Sequence, residues 1–201
     1  PGDSGLAEKH ARSLAENGEF DYISPYNDID IIAGQGTIGF ELLEQLPKID
    51  KVYISMGGGG LISGIGSVIK YHSPKTKIIG VSAKNSGALS ASLKLGKVCE
   101  TTHLDTLADG CAGGIDEDTL TLPLAKAVID SVIDCTEEQI IEAIKILAWH
   151  ENLLVEGSAA LALAGFLQDK NSEKQKVSLV LLCGGNFDKD LFVFSTFIIW
   201  V

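Results

Sequence analysis

Paired cysteines, long apolar runs and clustered basic residues are all missing from this sequence. Its four cysteines, Cys99, Cys111, Cys135 and Cys183, show no C-x-x-C spacing, which argues against a zinc site or a dense disulfide scaffold and for a reducing compartment. No apolar stretch approaches the ~18 residues needed to cross a bilayer. No secretory signal opens the chain, so the expected location is the cytoplasm. Lys and Arg total 16 against 27 Asp and Glu, a net charge of −11. That balance argues against nucleic acid or an anionic membrane as the main partner, because phosphate contacts need clustered cations. The four histidines, His10, His72, His103 and His150, are scattered and suggest surface or helix-end positions rather than a metal cluster. Methionine is nearly absent: the single one, Met56, lies inside an apolar run and the chain opens on Pro1, so a preceding segment is expected.

What is present is enough for a core. With 201 residues, 45% hydrophobic and 21% charged, the chain reads as one globular domain with part of a second. Residues 4 to 17 have helical spacing, with Leu6, Ala7, Ala11 and Leu14 on one side and Gly18 placed to end the helix. Gly34-Gln35-Gly36-Thr37 precedes a helix expected around residues 38 to 46, with Thr37 as its N-cap. Lys51 to Met56 reads as a strand, Leu61 to Tyr71 as a helix and Ile78 to Val81 as a buried strand. Thr136-Glu137-Glu138-Gln139 fits a capping box ahead of a helix carrying Ile140, Ile144 and Leu147. Ser158 to Leu167 is a small, apolar helix suited to deep packing, and Val177 to Leu182 is the clearest strand. The alternation predicts an α/β fold: an open, mostly parallel twisted sheet with helices on both faces.

Two glycine turns stand out. Gly57-Gly58-Gly59-Gly60, between a strand and a helix, removes every Cβ from the turn, so backbone N–H groups and the helix dipole can converge on an anion. Read alone, such a run is either a phosphate cradle or a tight turn with no ligand. It is neither G-x-G-x-x-G nor a Walker loop, which weakens the dinucleotide and nucleoside triphosphate readings. Cys183-Gly184-Gly185-Asn186 follows the Val177 strand. Ligands of open α/β sheets bind outside the carboxyl ends of strands, so both turns can face one crevice. On chemistry alone Cys183 reads as a small core thiol.

The series Gly34-Gln35-Gly36-Thr37, Gly57-Gly58-Gly59-Gly60-Leu61-Ile62-Ser63-Gly64, Ala108-Asp109-Gly110, Glu156-Gly157-Ser158-Ala159 and Cys183-Gly184-Gly185-Asn186 resembles the serine/threonine dehydratase and serine racemase family, in the family's order. The resemblance implies a fold-type-II pyridoxal phosphate (PLP) enzyme, akin to the tryptophan synthase β fold but incomplete. Such an enzyme acts on L-threonine or L-serine to release a 2-oxo acid and ammonia. It implies that Gly57, Gly58, Gly59, Gly60 and Leu61 hold the PLP phosphate. Gly110 would line the cofactor ring, and Cys183 would meet the pyridine nitrogen as a neutral partner suited to β-elimination. Asp109 and Glu156 are further candidates. Asp109 could shape only its own turn, and Glu156 could serve only as a carboxylate at a helix start. The family's Schiff-base lysine sits near the N-terminus in a Ser-x-Lys context, in a region expected to precede this chain, so no catalytic residue is expected within it. Ser73-Pro74-Lys75 reads as a solvated turn instead. Where cation-binding members carry acidic residues, this chain has Ser82 and Ala88, so no metal site is expected.

By the same resemblance, residues 1–20 would be a remnant of the small domain and 21–190 the large PLP-binding domain. The atypical apolar tail 191–201 would be either core packing or a foreign terminus. A homo-oligomer is the expected state of the longer protein. The rival expectations are serine racemase activity and a non-catalytic module that binds PLP or phosphate.

Overall fold

A computed structural model describes residues 4–18, 20–170 and 176–188. Helix α1 (Ser4–Glu16) leads into a loop and then α2 (Ile29–Gln45), followed by β1 (Lys51–Ser55), α3 (Gly60–His72) and β2 (Lys77–Ala83). Next come α4 (Ala88–Leu95), α5 (Thr121–Val128), β3 (Ser131–Cys135), α6 (Glu137–His150), α7 (Gly157–Gln168) and β4 (Ser178–Val180). Two short 3₁₀ turns, Lys84–Ser86 and Asp109–Cys111, interrupt the long connections.

The four strands form one parallel sheet in the order β3-β2-β1-β4. Strand periodicity divides the apolar residues between two cores. Val52 and Ile54 of β1 and Ile78 of β2 face Ile62, Ile65 and Ile69 of α3 and Leu122, Ala125 and Val128 of α5. Tyr53, Ile79, Val81 and Ala83 face Ile140, Ile144 and Leu147 of α6 and Ala160, Leu161 and Ala164 of α7. Helices therefore cover both faces, as the alternating pattern predicts. The capping box at the head of α6 is present, with the Thr136 N–H donating to Gln139 Oε1 at 2.9 Å.

Three expectations are corrected. Thr37 caps nothing: α2 starts at Ile29, where the Asp28 carboxylate accepts the N–H groups of Asp30 and Ile31 at 2.8 and 3.1 Å. Thr37 lies inside the helix and its hydroxyl donates to the Gly34 carbonyl at 2.7 Å. Gly36 and Gly39 beside it serve close packing instead of a turn. A Cβ on Gly39 would lie 2.9 Å from Val68 Cβ, and one on Gly64 of α3 only 2.1 Å from the Ile32 carbonyl oxygen. Second, the strand expected over 177–182 is regular only over Ser178–Val180, in register with Lys51–Tyr53 of β1, with flanking backbone bonds from the Lys51 N–H to the Val177 carbonyl and from the Leu181 N–H to the Tyr53 carbonyl. Third, β3, α4 and α5 are additional elements that no motif announced. The tail 191–201 lies outside the described residues. No helix among the described residues is long and apolar enough to cross a membrane.

Candidate functional site

Because β1 lies between β2 and β4, the segments that leave the carboxyl ends of β1 and β4 emerge side by side. The first is the glycine turn. Met56 is still tied to the sheet through its N–H to the Val81 carbonyl at 2.8 Å; the chain then turns through Gly57–Gly59 into α3. Gly59 adopts a left-handed conformation at φ +91°, and the first helical bond runs from the Ser63 N–H to the Gly59 carbonyl at 3.0 Å. The N–H groups ahead of that bond have no partner within the helix and, with the helix dipole, favour an anion.

Only glycine fits here. A Cβ on Gly57 would lie 2.8 Å from Cys111 Cα, and one on Gly58 would lie 2.5 Å from the Tyr26 ring. The turn is thus held between the Asp109–Cys111 turn and the loop before α2. Tyr26 is fixed in turn, its hydroxyl accepting the Asp116 N–H at 2.9 Å. Burial raises the Tyr26 pKa above the ordinary phenol value, so the hydroxyl stays neutral. The Asp116 carboxylate pairs with Arg12 of α1 and accepts from Asn27 Nδ2 at 3.0 Å. Polar contacts therefore run from α1 to Tyr26, whose ring packs against the glycine turn.

The second segment is the Cys183–Asn186 turn. Glu156, at the head of α7, accepts the Asn186 N–H at 2.8 Å, while its own N–H donates to the Gly184 carbonyl at 3.4 Å. Gly184 has φ +142°, and a Cβ there would strike Glu156 Cδ at 2.4 Å. Glu156 also lies near Gly110, where a Cβ would be 3.4 Å from Oε1. The carboxylate therefore serves the neighbouring turn instead of its own helix.

Gly57 to Leu61, Gly110, Glu156 and Cys183 all line one pocket, part of it open to solvent. Asp109 does not line it; its carboxylate accepts the N–H of Gly110 at 2.9 Å. Sequence reasoning missed Tyr26, Ser55, Cys111 and Ser158, which also line the pocket. Ser158 lies inside a quoted motif and Cys111 directly follows one, so that signal was available. Burial pushes the Cys111 thiol up to about 11, with the Ser158 hydroxyl pulling the other way. Cys183 is exposed. Among the described residues no lysine lines the pocket. Lys75 lies between α3 and β2, at the amino end of the strands and so on the opposite edge of the sheet. Among the described residues no cluster of three or more His, Cys, Asp or Glu could hold a metal.

The described pyridoxal-phosphate dependent enzyme family matches residues 1–184. The chain belongs to that family. Among its relatives, the L-threonine ammonia-lyase of Thermotoga maritima is 39% identical over 170 residues, covering 85% of this chain and 42% of the relative. The catabolic L-threonine dehydratase of Escherichia coli K12 is 35% identical, covering 83% of this chain and 51% of the relative. The chain thus spans about half the length of such relatives or less. Among solved structures, processed threonine deaminase isoform 2 of Solanum lycopersicum superposes with a TM-score of 0.85 at 32% identity, covering 96% of this chain and 57% of that one. Maize serine racemase gives 0.83 at 31%, covering 94% and 58%. The fold is that of the fold-type-II PLP enzymes, matched over part of their length.

The family's cofactor is pyridoxal phosphate, and the pocket residues fit it. The Cβ-free turn leaves room for backbone N–H groups to approach a phosphate, and the buried Ser55 hydroxyl, which lines the same pocket, has no hydrogen-bond partner within the protein.

Proposed function

We propose that this chain is the cofactor-binding part of an ammonia-lyase that acts on L-threonine or L-serine and releases a 2-oxo acid and ammonia. The observation that supports it most is the convergence of the Gly57–Gly60 turn and the Cys183 turn, from adjacent strand ends, in one pocket. Pyridoxal phosphate, when bound, supplies the electron sink for carbanion chemistry. In this reading the backbone N–H groups of Gly57 to Leu61 bind its phosphate and the Gly110 backbone lines its ring. The Cys183 thiol meets the pyridine nitrogen without protonating it, which restrains delocalisation and suits β-elimination. Asp109 shapes its turn, and Glu156 holds the Cys183 turn in place. The longer protein is a homo-oligomer.

In this reading the lysine that carries the cofactor lies in sequence outside this chain; among the described residues no lysine lines the pocket. The 201-residue chain alone therefore turns over neither amino acid. Incubation with pyridoxal phosphate, borohydride reduction and peptide mapping, alongside a 2-oxo acid assay with threonine and serine, tests this. Phosphate-dependent binding without turnover is expected. Stoichiometric labelling of one lysine together with turnover would overturn it.

That no described lysine lines the pocket also favours a second reading, a non-catalytic module that holds PLP. The same assay on the longer protein separates the two: 2-oxo acid from threonine or serine marks the lyase, and no product with retained PLP marks the module. Chiral analysis of residual serine reports racemisation.

A further inference from the structure

Two threonines that do not line the pocket are hydrogen-bonded to the glycine turn and to each other. Thr121, fully buried, opens α5, and Thr119, 7% exposed, lies just before it. Thr121 Oγ1 is 2.6 Å from the Gly58 carbonyl oxygen. A carbonyl only accepts, so the Thr121 hydroxyl proton is committed to Gly58. Thr119 Oγ1 lies 2.8 Å from Thr121 Oγ1, and with the Thr121 proton already engaged, Thr119 must be the donor. The Thr121 N–H completes the arrangement by donating to Thr119 Oγ1 at 3.2 Å. Every proton direction is thereby set, from Thr119 through Thr121 to Gly58, and each bond polarises the next.

Peptide planarity carries this hold into the pocket. The Gly58 carbonyl and the Gly59 N–H belong to one trans peptide unit and point in opposite directions. Drawing the carbonyl towards α5 turns the Gly59 N–H away from α5, to the side of the pocket that Gly58, Gly59 and Gly60 line and Thr121 does not. A flipped peptide would present a carbonyl dipole to an anion instead. Four successive glycines have no intrinsic preference strong enough to forbid the flip, so the selection has to come from outside the turn. The approach is close: a Cβ on Gly59 would lie 3.1 Å from Thr121 Cβ.

We infer that Thr121, backed by Thr119, is a positioning residue that selects the anion-binding orientation of the glycine turn and so sets affinity for a phosphorylated ligand without touching it. This rests on the phosphate reading of the turn given above. It is tested by equilibrium binding of pyridoxal phosphate and, separately, of pyridoxal to the chain and to Thr121→Val, Thr121→Ser and Thr119→Val, with thermal unfolding measured in parallel. Thr121→Val is expected to lose about tenfold in affinity for pyridoxal phosphate and nothing for pyridoxal. Thr121→Ser keeps the donor and should stay within about twofold, with Thr119→Val between them. If Thr121→Val keeps the parent's preference for the phosphorylated form, the inference is overturned and the phosphate reading stands. If the parent itself shows no such preference, the phosphate reading falls and the inference with it. Should Thr121→Val not fold, Thr119→Val decides, since an undiminished preference there overturns the relay.

Discussion

Glu156 and Asn186 are joined by a 2.8 Å hydrogen bond that ties the turn after β4 to the head of α7. The carboxylate lines the pocket, and the amide belongs to the turn that begins at pocket-lining Cys183, so the bond ties that turn to the opposite wall.

Removing the acceptor should loosen the turn. In Glu156→Ala, amide exchange at Asn186 is expected to accelerate and affinity for pyridoxal phosphate to fall about threefold to tenfold. Glu156→Gln retains an acceptor oxygen and should stay close to the parent. An Ala variant with unchanged exchange would show that something else holds the Cys183 turn.

Gly58→Ala places a methyl group 2.5 Å from the Tyr26 ring. Overpacking of this kind costs about 1–3 kcal/mol, read as a lowered urea midpoint. Combining it with Tyr26→Ala should recover part of the loss by vacating the clashing ring. An unchanged midpoint in the single variant would mean that the ring does not lie against the turn.

Stability should fall in acid partly through Asp130. Burial raises its pKa, but the Lys70 and Lys77 ammonium groups and the Ile78 N–H outweigh this and hold it below the ordinary carboxylate value. A depressed native pKa contributes stability that is present above the unfolded value and lost as pH falls through the native one. The stability gap between the parent and Asp130→Asn should therefore be constant near neutrality and close below about pH 4. A gap that persists at lower pH would contradict the pairing.

Alkylation should separate the two pocket thiols. Cys111 is 8% exposed and its thiol is pushed up to about 11, so iodoacetamide at mildly alkaline pH is expected to modify exposed Cys183 and spare Cys111. Saturating pyridoxal phosphate should slow labelling of Cys183, as followed by peptide mapping. Labelling at an equal rate with and without ligand would remove Cys183 from the cofactor's surroundings.

Where local chemistry and tertiary packing agree, the fold could be read from the residues. The β1–Gly57–α3 unit and the Thr136 capping box are such places, because strand period, turn glycines and helix period change over at defined residues. The Gly34–Thr37 segment misled because a glycine that lets two helices touch is written with the same letter as a glycine that lets the chain turn; only Val68 and Gly64 across the contact distinguish them. β3 was hidden because its partly exposed Ser131-Val132-Ile133-Asp134 lacks the apolar run of a central strand. The pocket members Tyr26 and Cys111 reach it through loops whose paths depend on long-range bonds, such as Tyr26 to Asp116. No sequence period encodes such a bond.

The backbone contact between Gly64 and the Ile32 carbonyl has a thermodynamic corollary for ligand capture. With α3 lodged against α2 at that distance, the head of α3 is immobilised when the chain folds, before any anion arrives. The conformational entropy of ordering the glycine turn is then a cost of folding and not of association. Widening the contact, as a side chain at position 64 would, transfers that cost to the binding step. Affinity for a phosphorylated ligand would then depend on a helix crossing well away from the phosphate itself.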